Sequence, residues 1–151
     1  MEPEFRPLFR IRFDLQPLQS VGSGPWGRRR VAPIAGGNFD GDRLRGTVLP
    51  GGSDAYLVGA DGSLPLDVRC VLETHDAAKI LMTYRGFFRA SGDVQARIRA
   101  EEAVEPGSYY LRAAPVFETG AESYCWMNGI VCVSVGHIGA GATVYDVYEV
   151  L

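Results

Sequence analysis

Leu66-Asp67-Val68-Arg69-Cys70-Val71-Leu72-Glu73-Thr74 runs into His75-Asp76-Ala77-Ala78 and continues as Lys79-Ile80-Leu81-Met82-Thr83-Tyr84-Arg85-Gly86-Phe87-Phe88. In the first segment Leu66, Val68, Cys70, Leu72 and Thr74 fall on one face, and Asp67, Arg69, Val71, Glu73 and His75 fall on the other. That period of two is the signature of a half-buried strand. Asp76-Ala77-Ala78 supplies a turn, so Lys79 to Phe88 reads as the antiparallel partner of a β-hairpin.

The same pattern extends in both directions. Phe9, Ile11 and Phe13 alternate with Arg10 and Arg12. Tyr109 to Phe117 places Tyr110, Arg112 and Ala114 on one face, and Pro115 marks the end of that strand as an edge, a bulge or a bend. Tyr124 to Val135 is long and apolar and reads as a strand, and Val144 to Val150 forms the last one. Between these runs stand Gly36-Gly37-Asn38, Asp40-Gly41, Pro50-Gly51-Gly52, Asp61-Gly62 and Gly139 to Gly141, read as the turns that reverse the chain. Nineteen glycines and nine prolines make 28 of 151 residues, spread as punctuation rather than as a low-complexity tract. Only Asp93 to Glu102 looks helical, with Asp93 as the expected N-cap and Val94 and Ile98 as an i,i+4 apolar pair. Eight to ten antiparallel strands without strand-helix-strand alternation predict one all-β domain over residues 1–151, a barrel or a sandwich.

The bulk composition excludes several functions. Fifteen Lys+Arg against eighteen Asp+Glu give a net charge of -3, so no nucleic-acid partner is expected. No run approaches the roughly 20 apolar residues of a membrane span, and the alternating charges of residues 1–13 leave no apolar secretory core. Cys70, Cys125 and Cys132 are odd in number and lack a zinc spacing, which predicts reduced thiols, a cytoplasmic protein and no metal.

Several residues invite a chemical reading. Gly22-Ser23-Gly24-Pro25-Trp26-Gly27 lacks the following helix and Lys-Ser/Thr pair of a phosphate loop, so it reads as a tight turn or a lid. Arg28, Arg29 and Arg30 must alternate between the two faces of a strand, so they read mainly as solvated charge. His75 stands beside Asp76 with Glu73 on its face, and the solvent-facing side of the strand accounts for all three. Asp54 follows two glycines at a strand start, where backbone donors can hold a carboxylate or aim it inward. Trp126 and Asn128 share a face with Tyr124 in the expected strand, and Arg112 shares one with Tyr110. Polar groups within apolar strands must find hydrogen bonds, so they either brace the fold or line a pocket.

In their order and spacing, Ile34-Ala35-Gly36-Gly37-Asn38-Phe39-Asp40-Gly41, Leu49-Pro50-Gly51-Gly52-Ser53-Asp54, Tyr110-Leu111-Arg112, Phe117-Glu118-Thr119 and Trp126-Met127-Asn128 carry a resemblance. Over nearly its whole length the chain resembles DUF3237, also labelled UPF0311, an uncharacterised bacterial and fungal family. The resemblance implies a small antiparallel β-barrel of the allene-oxide-cyclase or calycin-like kind, and its pattern falls on Gly36, Gly37, Phe39, Gly41, Gly51, Gly52, Asp54, Arg112, Trp126 and Asn128. The chain departs from it at Cys70, where the family tends to carry tyrosine, and at His75-Asp76-Ala77, where it tends to read Asp-Asp-Gly.

Two functions follow as expectations. In the first, a cofactor-independent isomerase, cyclase or lyase acts on a small apolar metabolite inside the barrel. Asp54 is its general base or electrostatic anchor, Arg112 binds a carboxylate or an oxyanion, Asn128 donates a hydrogen bond, and Trp126 and Trp26 supply apolar walls. In the second, the same barrel is a non-catalytic ligand-binding or interaction module. A homo-oligomer is compatible with both.

Overall fold

A computed structural model describes residues 1–151. In chain order it consists of β1 (Phe5–Leu15), β2 (Gln19–Gly24), β3 (Gly27–Asp40), β4 (Arg45–Val48), β5 (Ser53–Asp54), β6 (Leu57–Val58), β7 (Leu64–Thr74), β8 (Lys79–Ala90), α1 (Gly92–Arg99), β9 (Tyr109–Glu118), β10 (Cys132–Gly139) and β11 (Ala142–Val150). The hairpin read first from the sequence is β7–β8, with Glu73 opposite Lys79 at its turn and Leu64 opposite Phe88 at its far end. Neighbours then run β1-β11-β10-β9-β8-β7-β4-β3, and β3 returns to β1 through Ile11 opposite Phe39. Eight antiparallel strands thus close into a barrel, which leaves no long unpaired edge.

Alternation decides what lies inside. Ile11, Phe13, Phe39, Leu72, Ile80 and Met82 are almost fully buried in one continuous core. Each such side chain contributes roughly 1.5–3 kcal/mol by leaving water. The Phe9 ring packs against Phe39 at 5.4 Å and against Phe117 at 5.8 Å. Gly36 and Gly37 are not a turn, as the sequence suggested, but lie within β3. A Cβ on Gly37 would stand 1.8 Å from the Arg12 carbonyl oxygen, so this glycine lets β1 and β3 approach and seals the barrel. Pro115 is accommodated because the β9–β10 ladder pairs only Arg112 and Ala113, leaving the strand unpaired on that side at the proline.

One end of the barrel is plugged. Tyr124 to Gly129 is not the strand expected from its apolar character but most of a 3₁₀ segment, Glu122–Gly129. Three residues per turn bring Tyr124 and Met127 to the same side, and both are buried. Asn128 clamps this segment to the end of β9: its Oδ1 accepts from the Thr119 N–H at 2.8 Å, and its Nδ2 donates to the Thr119 carbonyl at 3.0 Å. Arg43 stacks over Trp126 at 4.0 Å and pairs with buried Glu149, which also accepts from Arg6 at 2.8 Å. The two guanidinium groups hold the Glu149 carboxyl below its ordinary range. Helix α1 is capped by Ser91, whose Oγ accepts from the Val94 N–H, so Asp93 lies in the first turn rather than at the cap.

Candidate functional site

The opposite end carries the titratable groups. Strand β5 inserts beside β4's end of the barrel wall, placing Asp54 opposite Ala32 of β3 on one side and Val68 of β7 on the other. Val68 is in turn opposite Tyr84 of β8. Residues paired this way share a face, and Val68 and Tyr84 are buried, so Asp54 projects into the lumen. Its Oδ1 accepts from the Asp67 N–H at 3.0 Å, which fixes the carboxyl group and leaves Oδ2 free of protein donors. Burial pushes the Asp54 carboxyl up to about 6, against the pull of the Asp67 N–H, and the nearby Asp67 charge adds to the rise. A carboxyl group there exchanges a proton readily near neutrality.

Below Asp54 lies a pair of phenols. The Tyr84 and Tyr145 rings meet edge to face at 5.5 Å, with Phe13 at 6.3 Å from one and 6.1 Å from the other. Burial raises both phenols well above their ordinary range, Tyr84 also through Tyr145 and both through Asp54. They therefore remain neutral O–H donors. Gly136 makes room for them, since a Cβ there would stand 2.4 Å from the Leu111 side chain and 2.7 Å from the Tyr145 ring. Nearer the rim, the Tyr56 phenol is raised by burial, opposed by the adjacent Arg30, and raised further by Asp54. The Arg30 N–H donates to the Tyr56 carbonyl at 3.0 Å. Arg30, Asp54 and Tyr56 are all partly exposed, which opens this end to solvent. Cys70 shares the buried face, and burial pushes its thiol up to about 12, so it is no nucleophile at neutral pH.

Of the five residues expected to form one site, only Asp54 faces the lumen. Arg112 stands on the outer wall, because Tyr109, Leu111 and Ala113 take the inward positions of β9. It donates to the Leu111 carbonyl at 2.9 Å and lies 5.0 Å from the Tyr110 ring. Trp126 and Asn128 belong to the plug at the other end. Trp26 sits at the tip of the β2–β3 hairpin, which overhangs the Asp54 end, and the residue is 80% exposed. The single cavity expected for Asp54, Arg112, Trp126 and Asn128 therefore does not exist. Tyr84, Tyr145 and Tyr56 carry no site expectation from the sequence, and Arg30, read there mainly as solvated charge, stands beside Tyr56 at the rim. The available signal was a phenol on the apolar face of a strand, at Tyr84 after Ile80 and Met82 and at Tyr145 before Val147.

Two surface grooves lie outside the barrel. One runs along Pro7 to Arg10, Asp40 to Asp42 and Asp146 to Tyr148. The other is lined by Arg10, Arg12, Asn38, Asp40, His137 and Val144. Arg10 is paired there with Asp146 and Arg12 with Asp14, and His137 Nε2 lies 3.0 Å from Asp146, while Asp40 and Asp42 have no ion-pair partner. In solvent such pairs contribute little and do no chemistry, so the Asp54 end is the stronger site. No cluster of three or more His, Cys, Asp or Glu side chains suited to a metal ion is present. No helix is long and apolar enough to cross a membrane.

The chain is similar to proteins from several organisms. A UPF0311 protein of Clostridium acetobutylicum is 36% identical over 107 residues, 71% of this chain and 68% of that one. A hydroalkoxylation enzyme of Penicillium herquei is 33% identical over 97 residues, 64% of this chain and 46% of that one. Among solved structures, a conserved protein of unknown function from Rhodopseudomonas palustris superposes with a TM-score of 0.92 at 28% identity, covering 100% of this chain and 99% of that one. A β-barrel-like protein from Acinetobacter baumannii does so with a TM-score of 0.87 at 31% identity, covering 100% and 98%. The family model described as a protein of unknown function matches residues 3–150, and the chain belongs to that family, DUF3237.

Proposed function

We propose that the Asp54 end of the barrel takes up a small, largely apolar metabolite and performs general acid–base chemistry on it without a cofactor, as an isomerase, cyclase or lyase. The observation that carries this reading is a lumen-facing carboxyl group raised to about 6 above two neutral phenols. A group with that pKa is present in both protonation states near neutral pH, so it can deliver a proton to one atom and recover one from another. The Tyr145 phenol, which accepts from the Tyr84 O–H, donates its own proton to negative charge developing on a substrate oxygen, and the Phe13 ring beside them supplies an apolar wall. Trp26, on the overhang, extends that apolar surface at the rim.

The relative from Penicillium herquei is a hydroalkoxylation enzyme. Hydroalkoxylation adds an O–H group across a C=C bond, an addition that needs one proton placed on carbon and one removed from oxygen. A single carboxyl group can perform both transfers in turn, and the balance closes with no oxidant or reductant.

The test uses 2-allylphenol and related ortho-alkenyl phenols as probes in D₂O, with wild-type protein and Asp54→Asn. Wild type should convert a probe to the cyclic ether with deuterium on carbon, and Asp54→Asn should lose about 10²-fold or more of that rate. Equal rates in the two proteins would overturn the assignment of Asp54. Tight binding with every probe recovered unchanged and free of deuterium would favour the non-catalytic binding module instead.

A further inference from the structure

We propose that the outer wall formed by β7, β8 and β9 docks a second copy of this chain, face to face about a two-fold axis that crosses these strands. This wall is unusually apolar for the outside of a small barrel. Val71, Leu81, Phe87, Tyr110 and Val116 all point outward from it and are 36% to 55% exposed. Scattered apolar residues on a surface need no explanation, but these fall into two groups on three paired strands, Val71, Leu81 and Val116 on one side of the Asp67, Arg85 and Ala114 row and Phe87 and Tyr110 on the other.

The register arranges them in rows. Val71, Leu81 and Glu118 lie side by side; then Arg69, Thr83 and Val116; then Asp67, Arg85 and Ala114; then Pro65, Phe87 and Arg112. A two-fold axis lying in the interface between the second and third rows reverses their order and keeps each strand over its own copy. It sets Leu81 over the partner copy's Phe87 ring, and Val116 over the small Ala114. It also sets Glu118 over Arg112, and Arg69 over Asp67. Those four charges meet their opposites, Leu81 meets Phe87, and Arg85, which already pairs with Asp67 of its own chain, falls over the uncharged Thr83. A two-fold contact must be self-complementary in this way. A surface built for a partner of a different kind has no such requirement. This arrangement gives Arg112, which stands outside the lumen, a role on the outer wall.

Because both walls are convex, the contact is confined to these strands, and the association should be concentration dependent. Sedimentation velocity over a dilution series of the full chain tests it. Wild type should approach twice the 16.4 kDa of one chain at high concentration. Glu118→Arg should weaken the dimer at least about tenfold by removing one attraction and adding a repulsion at two symmetric positions. The double exchange Glu118→Arg/Arg112→Glu should restore it. Phe87→Asp should abolish it while leaving the circular-dichroism melting curve of the monomer in place. A protein that stays monomeric throughout the series overturns the proposal. So does a dimer indifferent to Glu118→Arg and Phe87→Asp, which would mean that another face carries the contact. A single variant that dissociates but is not rescued by the exchange would also overturn the stated register.

Discussion

Asp54 was legible in the sequence because two glycines precede it at the start of a short strand, where a carboxyl group is held by backbone donors. Its companions were not legible. A tyrosine on an apolar face looks like core until the closure of the barrel brings Tyr84 of β8 against Tyr145 of β11, which adjoin in neither sequence nor sheet order. The raised carboxyl pKa has a consequence for stability with a definite sign. The folded protein binds a proton at Asp54 more tightly than the unfolded chain does, since about 6 exceeds the ordinary 3.8. Ionised Asp54 is therefore a cost of folding that is full above pH 6 and is relieved as pH falls through 6 towards 3.8. Asp54→Asn removes the charge and keeps an acceptor for the Asp67 N–H. Urea unfolding at pH 7.5 should find the variant more stable than wild type by about 1–3 kcal/mol, the range set by a shift of this size on a partly solvent-facing group. Near about pH 4 the difference should vanish. A variant less stable than wild type at pH 7.5 would show that the carboxylate is held by interactions stronger than its burial.

At the scale of elements, the strands were legible wherever one face is buried, as in β1, β7, β8 and β11, because alternation leaves a trace in every second residue. Tyr124 to Gly129 was misread because apolar content alone does not distinguish a strand from a 3₁₀ turn, and the deciding periodicity is the spacing of three between Tyr124 and Met127. Gly36-Gly37 was misread for a related reason: glycine serves close strand approach as well as turns, and only the partner strand shows which. The plug gives Asn128 a structural task. Its two hydrogen bonds to the Thr119 backbone tie the 3₁₀ segment to β9, and the Thr119 Oγ1 in turn donates to the Lys79 carbonyl at 2.7 Å. Asn128→Ala removes both partners from Thr119, while solvent at this exposed position replaces part of what is lost. The expected cost is about 1–2 kcal/mol in denaturant unfolding, with conversion of the ortho-alkenyl phenol probes unchanged. A large loss of probe conversion with unchanged stability would return Asn128 to the substrate site that its sequence position suggested.

For the whole molecule, strand number and turn density narrow the fold to a barrel or a sandwich and the family resemblance implies the barrel, whereas the division of labour between the two ends is not legible. That division follows from shear and pairing, which no single segment reveals: β5 delivers Asp54 to one end, and the chain between β9 and β10 delivers Trp126 and Asn128 to the other. The interior between them is filled by Ile11, Phe39, Leu72, Ile80 and Met82. A packed core separates the ends without a shared cavity, hydrogen-bond chain or ion pair to link them. Free energies of substitution at sites that are well separated and share no partner add to within about 0.5 kcal/mol, whereas residues lining one cavity couple by about 0.5–3 kcal/mol. The double variant Asp54→Asn/Asn128→Ala should therefore unfold with the sum of the two single effects, a gain at Asp54 and a loss at Asn128. Measured at pH 7.5, where the Asp54 term is fully expressed, the four proteins of this cycle should give a coupling energy indistinguishable from zero. A coupling above about 1 kcal/mol would mean that the two ends communicate through the barrel after all. In that case the plug would have to be counted as part of the site, and its arginine-clasped Glu149 would become the next group to test.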